Sequence, residues 1–122
     1  MPDPQTGAGF DAPTPDMAYA SAPNIIREIG WVARTAANRP YDKPSLREFW
    51  LRKAALLDRI AIKDGGDGAL TVGEHAAAVF AGYDRDHHTG TGPHGPDAIE
   101  WDPSYRPYVR QEYAAWLCVS GK

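Results

Sequence analysis

The segment from Ser45 to Asp64, SLREFWLRKAALLDRIAIKD, restricts the fold more than any other part of this chain. It is a long apolar run at helical spacing with a stop signal behind it. Pro44 stands just outside, where it does not interrupt the helix ladder. Ser45 and Glu48 have the S-x-x-E spacing of a capping box, in which each side chain takes up a donor that a helix start leaves orphaned. Gly65 and Gly66 offer a left-handed cap after the last turn, and Lys63 suits the negative end of the helix dipole. At about 100° per residue, Leu46, Phe49, Trp50, Ala54, Leu56, Leu57, Ile60 and Ala61 share one broad arc. Leu51, Ala55 and Ile62 make a second patch on the other side. A surface helix needs one apolar stripe. Two predict a helix covered on both sides, by its own domain or by a partner. Arg52, Arg59 and Lys63 line a polar edge near Glu48, and Lys53 falls inside the main arc, where its stem packs while its head reaches water.

A chain of 122 residues with 43% hydrophobic content fits one domain with a modest core. The net charge of −3 does not favour nucleic acid as a partner. Its distribution is uneven. Residues 1–19 hold acids and no base, residues 20–63 are basic, and residues 64–122 are acidic again. The plain reading is attraction between halves of one compact fold; the sharper one is a basic helix aimed at an acidic partner. The single cysteine, Cys118, excludes an internal disulfide and fits a reducing cytoplasm. No apolar run approaches a membrane span and no signal-peptide pattern opens the chain, so a cytoplasmic location is expected.

Residues 1–22 are rich in Pro, Gly, Ala and Asp and predict a flexible tail, in which Phe10, Met17 and Tyr19 either stay solvated or dock locally. A domain then spans 23–120. Its first helix is expected from Pro23 to Ala37, with Ile25, Ile26, Ile29, Val32, Ala33 and Ala36 turned inward. Gly30 weakens it by roughly 1 kcal/mol unless close packing needs a glycine there. Asn38-Arg39-Pro40 ends it, and the short connection to Pro44 favours an antiparallel neighbour. A third helix is expected from Val72 to Tyr83, capped by Thr71 and Glu74, with Val72, Ala76, Val79, Phe80 and Tyr83 inward. Residues 84–100 read as a long Gly/Pro/His loop, and loops of this length are often functional or disordered. A last helix near 104–119 carries Val109, Tyr113, Trp116 and Leu117 on one face, with Pro103 and Pro107 at its start. The fold class is therefore all-α, a small bundle of about four helices with a disordered N-terminal tail.

Candidate sites are sparse. Asp67-Gly68-Ala69-Leu70-Thr71-Val72-Gly73-Glu74 matches the end of a calcium-binding EF-hand loop, which needs many oxygen ligands and a turn glycine. Lys63 and Gly65 stand where such a loop needs acids, and recruiting Asp64 shortens the spacing to Glu74. The competing reading of Asp64, Asp67 and Glu74 is a glycine turn followed by a helix cap. His87, His88 and His94, with nearby aspartates, have ligand chemistry for a transition metal but no defined zinc spacing, so a polar surface loop competes. Cys118 reads as a small buried thiol rather than a nucleophile. No G-x-S-x-G or P-loop pattern is present, and no catalytic residue or cofactor is assigned. Trp50, Trp101, Trp116, Tyr105, Tyr108 and Tyr113 belong to the core or its edge, or else to an exposed recognition surface. Trp101, at a loop edge, is the candidate anchor for a partner.

FWLRKAALLDRIA at 49–61, followed by GPHGPDAIEWDPSYRPYVRQEYAAW at 92–116, resembles a group of small uncharacterised helical proteins of high-GC Gram-positive bacteria. Their genes often lie near those of mobile elements, replication or transfer. The resemblance spans roughly residues 24–117 and implies no activity, ligand or catalytic residue. In that group the turn between the two central helices varies, which implies that the Asp67–Glu74 match is incidental.

The expected function is a non-enzymatic accessory or adaptor protein that binds another protein, or itself as a homodimer. The expected contact is the 84–103 loop or the second patch of the central helix. Trp101, Leu51, Ile62, Arg52 and Arg59 are its candidate residues. The alternatives are a small divalent-metal-binding protein and a weak nucleic-acid binder using Arg52, Arg59 and Lys63.

Overall fold

The computed structural model describes residues 2–38 and 43–120. Among them there is no β-strand, and the chain is all-α. A short α1 (Pro15–Ala18) precedes four substantial helices: α2 (Ile25–Ala37), α3 (Lys43–Asp64), α4 (Asp67–His87) and α5 (Arg106–Ser120). A single 3-10 turn, Ile99–Trp101, lies between α4 and α5. The connection at 39–42 is outside the described residues.

The expected central helix is α3, and it begins earlier than its capping signal predicts. Ser45 stands inside the helix, which starts at Lys43 with Pro44 in its first turn. Glu48 is therefore not a capping partner; its carboxylate takes Arg52 Nη1 at 2.8 Å, one turn along. At the other end Gly65 has φ 73°, and its N–H donates to the Ala61 carbonyl, the left-handed cap that glycine permits. This turn reverses the chain so tightly that α4 starts at Asp67, whose acid suits the positive helix end. Thr71 and Glu74 then lie within α4 rather than at its start.

Both faces of α3 are covered by the chain itself except near its C-terminal turns. It packs against α2, α4 and α5, while α1 packs against α5. Phe49, Ala54, Leu56 and Ala61 are buried from the expected arc, and Leu51 and Ala55 are buried from the second patch. Leu51 and Ala55 of that patch meet the rest of the core, Phe80 and Ala81 of α4, Trp101, and Tyr108, Val109 and Tyr113 of α5, while Ile62 stays half-buried at its edge. The inward face of α4 is rotated from the expected stripe. Gly73, Ala77, Phe80, Ala81 and Asp84 are buried, and Val72 and Val79 are exposed. Cys118, expected to be buried, is exposed in the last turn of α5.

Residues 2–22, expected to be a flexible tail, are laid against the bundle. Phe10, Ala12, Tyr19 and Ala22 pack on the core. Gln5 donates to the Ala61 carbonyl and accepts from Arg106, and the Pro4 carbonyl accepts from Arg110. Composition reports few apolar side chains there. It does not report that backbone and amide oxygens can answer buried arginines.

The segment between α4 and α5 is held in a similar way. Glu112, fully buried, accepts from the Thr91 N–H, the Thr91 hydroxyl, the Gly92 N–H, Gln111 Nε2 and Arg47 Nη2, each at 2.8 Å. A Cβ at Gly92 would come within 2.3 Å of the Gln111 amide, so the backbone approaches this closely only as glycine. Beside it, buried Asp84 accepts both arms of Arg47 at 2.8 Å, the Tyr108 hydroxyl at 2.6 Å and the Thr89 hydroxyl at 2.7 Å. Burial works to raise the Asp84 pKa, but these hydrogen bonds outweigh it and hold the carboxyl below its ordinary range. A depressed folded pKa means that the stabilisation is present above the unfolded value and is lost as pH falls through the folded one. The urea midpoint should therefore drop as pH falls from about 4 toward 2, the region below the ordinary aspartate pKa. Asp84→Asn should make that slope shallower; equal slopes would remove Asp84 from the acid transition.

Candidate functional site

The sequence-predicted anchor Trp101 is not at the surface. It is 1% exposed, its indole N–H donates to the Gly95 carbonyl at 2.8 Å, and it meets Tyr108 edge-on. Leu51 is core. Arg52 is committed internally: Nε and Nη2 hold buried Glu28 at 2.7 and 2.8 Å, and its guanidinium lies 3.5 Å above the Trp31 ring. That ion pair and cation–π contact dock α2 on α3.

The docking has an unexpected consequence for α2. Asn24 caps the helix by accepting the Arg27 N–H at 2.9 Å. From there the buried residue is Glu28, not an isoleucine. Ile26 is 81% exposed and Ile29 47%, and Ala33 and Ala36 are exposed as well. Of the expected stripe only Ile25 and Val32, which share the face of Glu28, are half-buried; the rest points at water, because the Glu28–Arg52 pair sets the helix's rotation. Arg27 and Arg34 are exposed on the same helix, while its acid is consumed by Arg52.

Ile62 and Arg59, two of the predicted partner-binding residues, lie together. With Lys63 they form one wall of a groove of about 360 Å³, completed by Pro15, Asp16, Tyr19, Ala20 and Ile25. The turn between α1 and α2 places Tyr19 and Ile25 opposite the last turns of α3. The Arg59 guanidinium sits 5.8 Å from the Tyr19 ring centroid, and its Nη1 is buried with no hydrogen-bond partner among the described residues. The Tyr19 hydroxyl donates to Asp58 at 2.6 Å; burial and the Asp58 charge push its pKa well above the usual tyrosine value. It therefore stays a neutral donor. The groove offers apolar walls, two cations and one acid, Asp16.

The predicted metal ligands do not converge. Asp64 accepts the Gly66 N–H at 2.9 Å, Asp67 begins α4, and Glu74 accepts the Ser104 hydroxyl at 2.6 Å two turns on. A calcium loop needs these residues wrapped around one point, and a helix from Asp67 onward strings them along an axis instead. His87 Nδ1 is 2.9 Å from the Tyr83 carbonyl with its ring stacked on Tyr83; His88 is the left-handed cap of α4; His94 reaches Asp11 at 2.8 Å. Among the described residues no group of three His, Cys, Asp or Glu is placed to share a metal ion.

Sequence reasoning missed the buried ionic centres altogether. Asp58, fully buried, accepts Arg106 Nε at 2.6 Å, Arg110 Nε at 2.8 Å and Arg110 Nη2 at 2.9 Å. A signal was present: Asp58 falls in the second stripe, Leu51-Ala55-Asp58-Ile62, and an acid inside an apolar stripe calls for buried cations. Arg106 and Arg110, one helical turn apart, supply them.

No protein-family model, curated protein or solved structure matches this chain. Among the described residues no helix is long and apolar enough to cross a membrane.

Proposed function

We propose that this chain is a non-enzymatic protein-binding module whose α1–α2–α3 groove receives an acidic amphipathic helix of another protein. The observation that supports the reading is the exposure of Ile26 and Ile29 on α2, the helix whose Ile25 lines a groove shared with Arg59 and Lys63. Apolar residues of the incoming helix would cover Ile25, Ile26, Ile29 and Ile62, a helix-in-groove mode. Its carboxylates would meet Arg27, Arg34, Arg59 and Lys63. A second copy of the chain is a poorer occupant of this face, because α2 against α2 sets arginine against arginine.

The test uses two synthetic helical peptides of the same leucine pattern, one carrying glutamates and one lysines, titrated into isotope-labelled protein. The glutamate peptide should shift the amides of residues 19–29 and 59–63 saturably. Arg59→Glu should weaken it about tenfold, equivalent to about 1.4 kcal/mol. Equal response to both peptides, no saturation, self-association through this face, or binding to anionic vesicles in place of the peptide would overturn the reading.

A further inference from the structure

The two ionic centres that flank α5 are unequally satisfied. On one side Asp84 and Glu112 are filled by donors from Arg47, Tyr108, Gln111, Thr89, Thr91 and Gly92. On the opposite side, two turns of the same helix present Arg106 and Arg110, 1% and 0% exposed, to a single carboxylate, Asp58. Asp58 has no capacity to spare, because the Tyr19 hydroxyl takes it as well. Two of the arginines' other donors meet neutral oxygens. Arg106 Nη2 donates to the Gln5 side-chain oxygen at 2.6 Å, and Arg110 Nη2 donates to the Pro4 carbonyl. Arg110 Nη1 is buried with no hydrogen-bond partner among the described residues. A buried cation left in excess and an unanswered donor are both unfavourable, and an anion relieves both.

We propose that Arg106 and Arg110 form an oxyanion-binding site, for a carboxylate or phosphate group, which residues Pro4 and Gln5 plug with uncharged oxygens. Asp58 occupies the Nε and Nη2 fork of Arg110 and Nε of Arg106, so the donors an oxyanion would meet are Arg106 Nη2 and Arg110 Nη1, charge-assisted donors of the kind that carboxylates and phosphates accept. Gln5 is half-buried, so its side chain is the part of the plug that solvent reaches. An arriving oxyanion displaces the Gln5 amide from Arg106 and gains the unanswered Arg110 donor. The N-terminal segment is then both occupant and gate, and binding is coupled to its release from the bundle. The site touches the α1–α2–α3 groove only through the Tyr19–Asp58 hydrogen bond and does not rest on the docking reading.

Thermal unfolding of the full chain in inorganic phosphate, in acetate and in chloride at matched ionic strength tests this, in the wild type, Gln5→Ala and Gln5→Glu. Phosphate should raise the wild-type midpoint saturably above chloride. Gln5→Ala unplugs the site and should enlarge that increment. Gln5→Glu supplies the anion from within: it should raise the midpoint in chloride, despite losing the 3.3 Å bond from Gln5 to Ala61, and abolish the increment. Acetate matching phosphate assigns the site to oxyanions generally; phosphate alone assigns it to phosphate groups. An increment equal in all three proteins, or absent from both wild type and Gln5→Ala, overturns the proposal.

Discussion

Asp58→Ala should destabilise the protein by roughly 3–5 kcal/mol, as expected when one partner of a buried ion pair is removed. The substitution leaves Arg106 and Arg110, each almost wholly buried, without their carboxylate, and strips the Tyr19 hydroxyl of its acceptor. The Arg110 guanidinium does not escape by losing its proton, and in the wild type hydrogen bonds and charge from Asp58 raise its pKa against the effect of burial. The midpoint of thermal unfolding should fall by about 10 °C or more. Replacing the whole centre with apolar residues, Asp58→Leu with Arg106→Met and Arg110→Met, should recover much of the loss, because the unfavourable element is the unpaired charge and not the absent bridge. A loss below about 1 kcal/mol for Asp58→Ala would mean that water reaches the arginines, contrary to the burial described.

Glu112→Ala is expected to lose about 3 kcal/mol, and the damage should be local first. One carboxylate gathers two backbone N–H groups, a hydroxyl, an amide and a guanidinium, and each hydrogen bond to a charged group contributes about 1.5–3 kcal/mol before the partners find water. The freed donors at residues 91–92 can reach solvent, which caps the loss below the sum. Arg47 keeps Asp84 and so is not stranded. Amide hydrogen exchange resolves the effect: protection at Thr91 and Gly92 should collapse while Phe80 and Tyr113 lose protection only in proportion to global stability. Uniform loss across the chain would show that Glu112 supports the bundle rather than the loop.

The sequence made the helices legible and their rotations much less so. Periodicity located α3, α5 and most of α2, because apolar spacing is a local property. It misplaced the start of α4, because a two-residue glycine turn freed residues 67–71 to become helical. It placed Ile25 and Val32 on the docked side of α2 but turned Ile26, Ile29, Ala33 and Ala36 inward as well, because it did not see the Glu28–Arg52 pair, which joins residues 24 positions apart. Arg59 and Ile62 emerged as neighbours on one helix, yet the groove they line needs Tyr19 and Ile25, from a stretch whose composition reads as tail. Trp101 was read as an anchor from its loop-edge position, but its N–H needed a buried acceptor, and Gly95 provides one.

The ionic centres tie distant parts of the chain to one another: 28 to 52, 58 to 106 and 110, and 47 to 84 and 112. A lone change in any of these sets strands a charge in a place without water, whereas matched changes keep neutrality. Sequences that share this architecture should therefore drift at such positions jointly, as coupled groups, so a pairwise comparison can look unrelated even where the interior arrangement is the same.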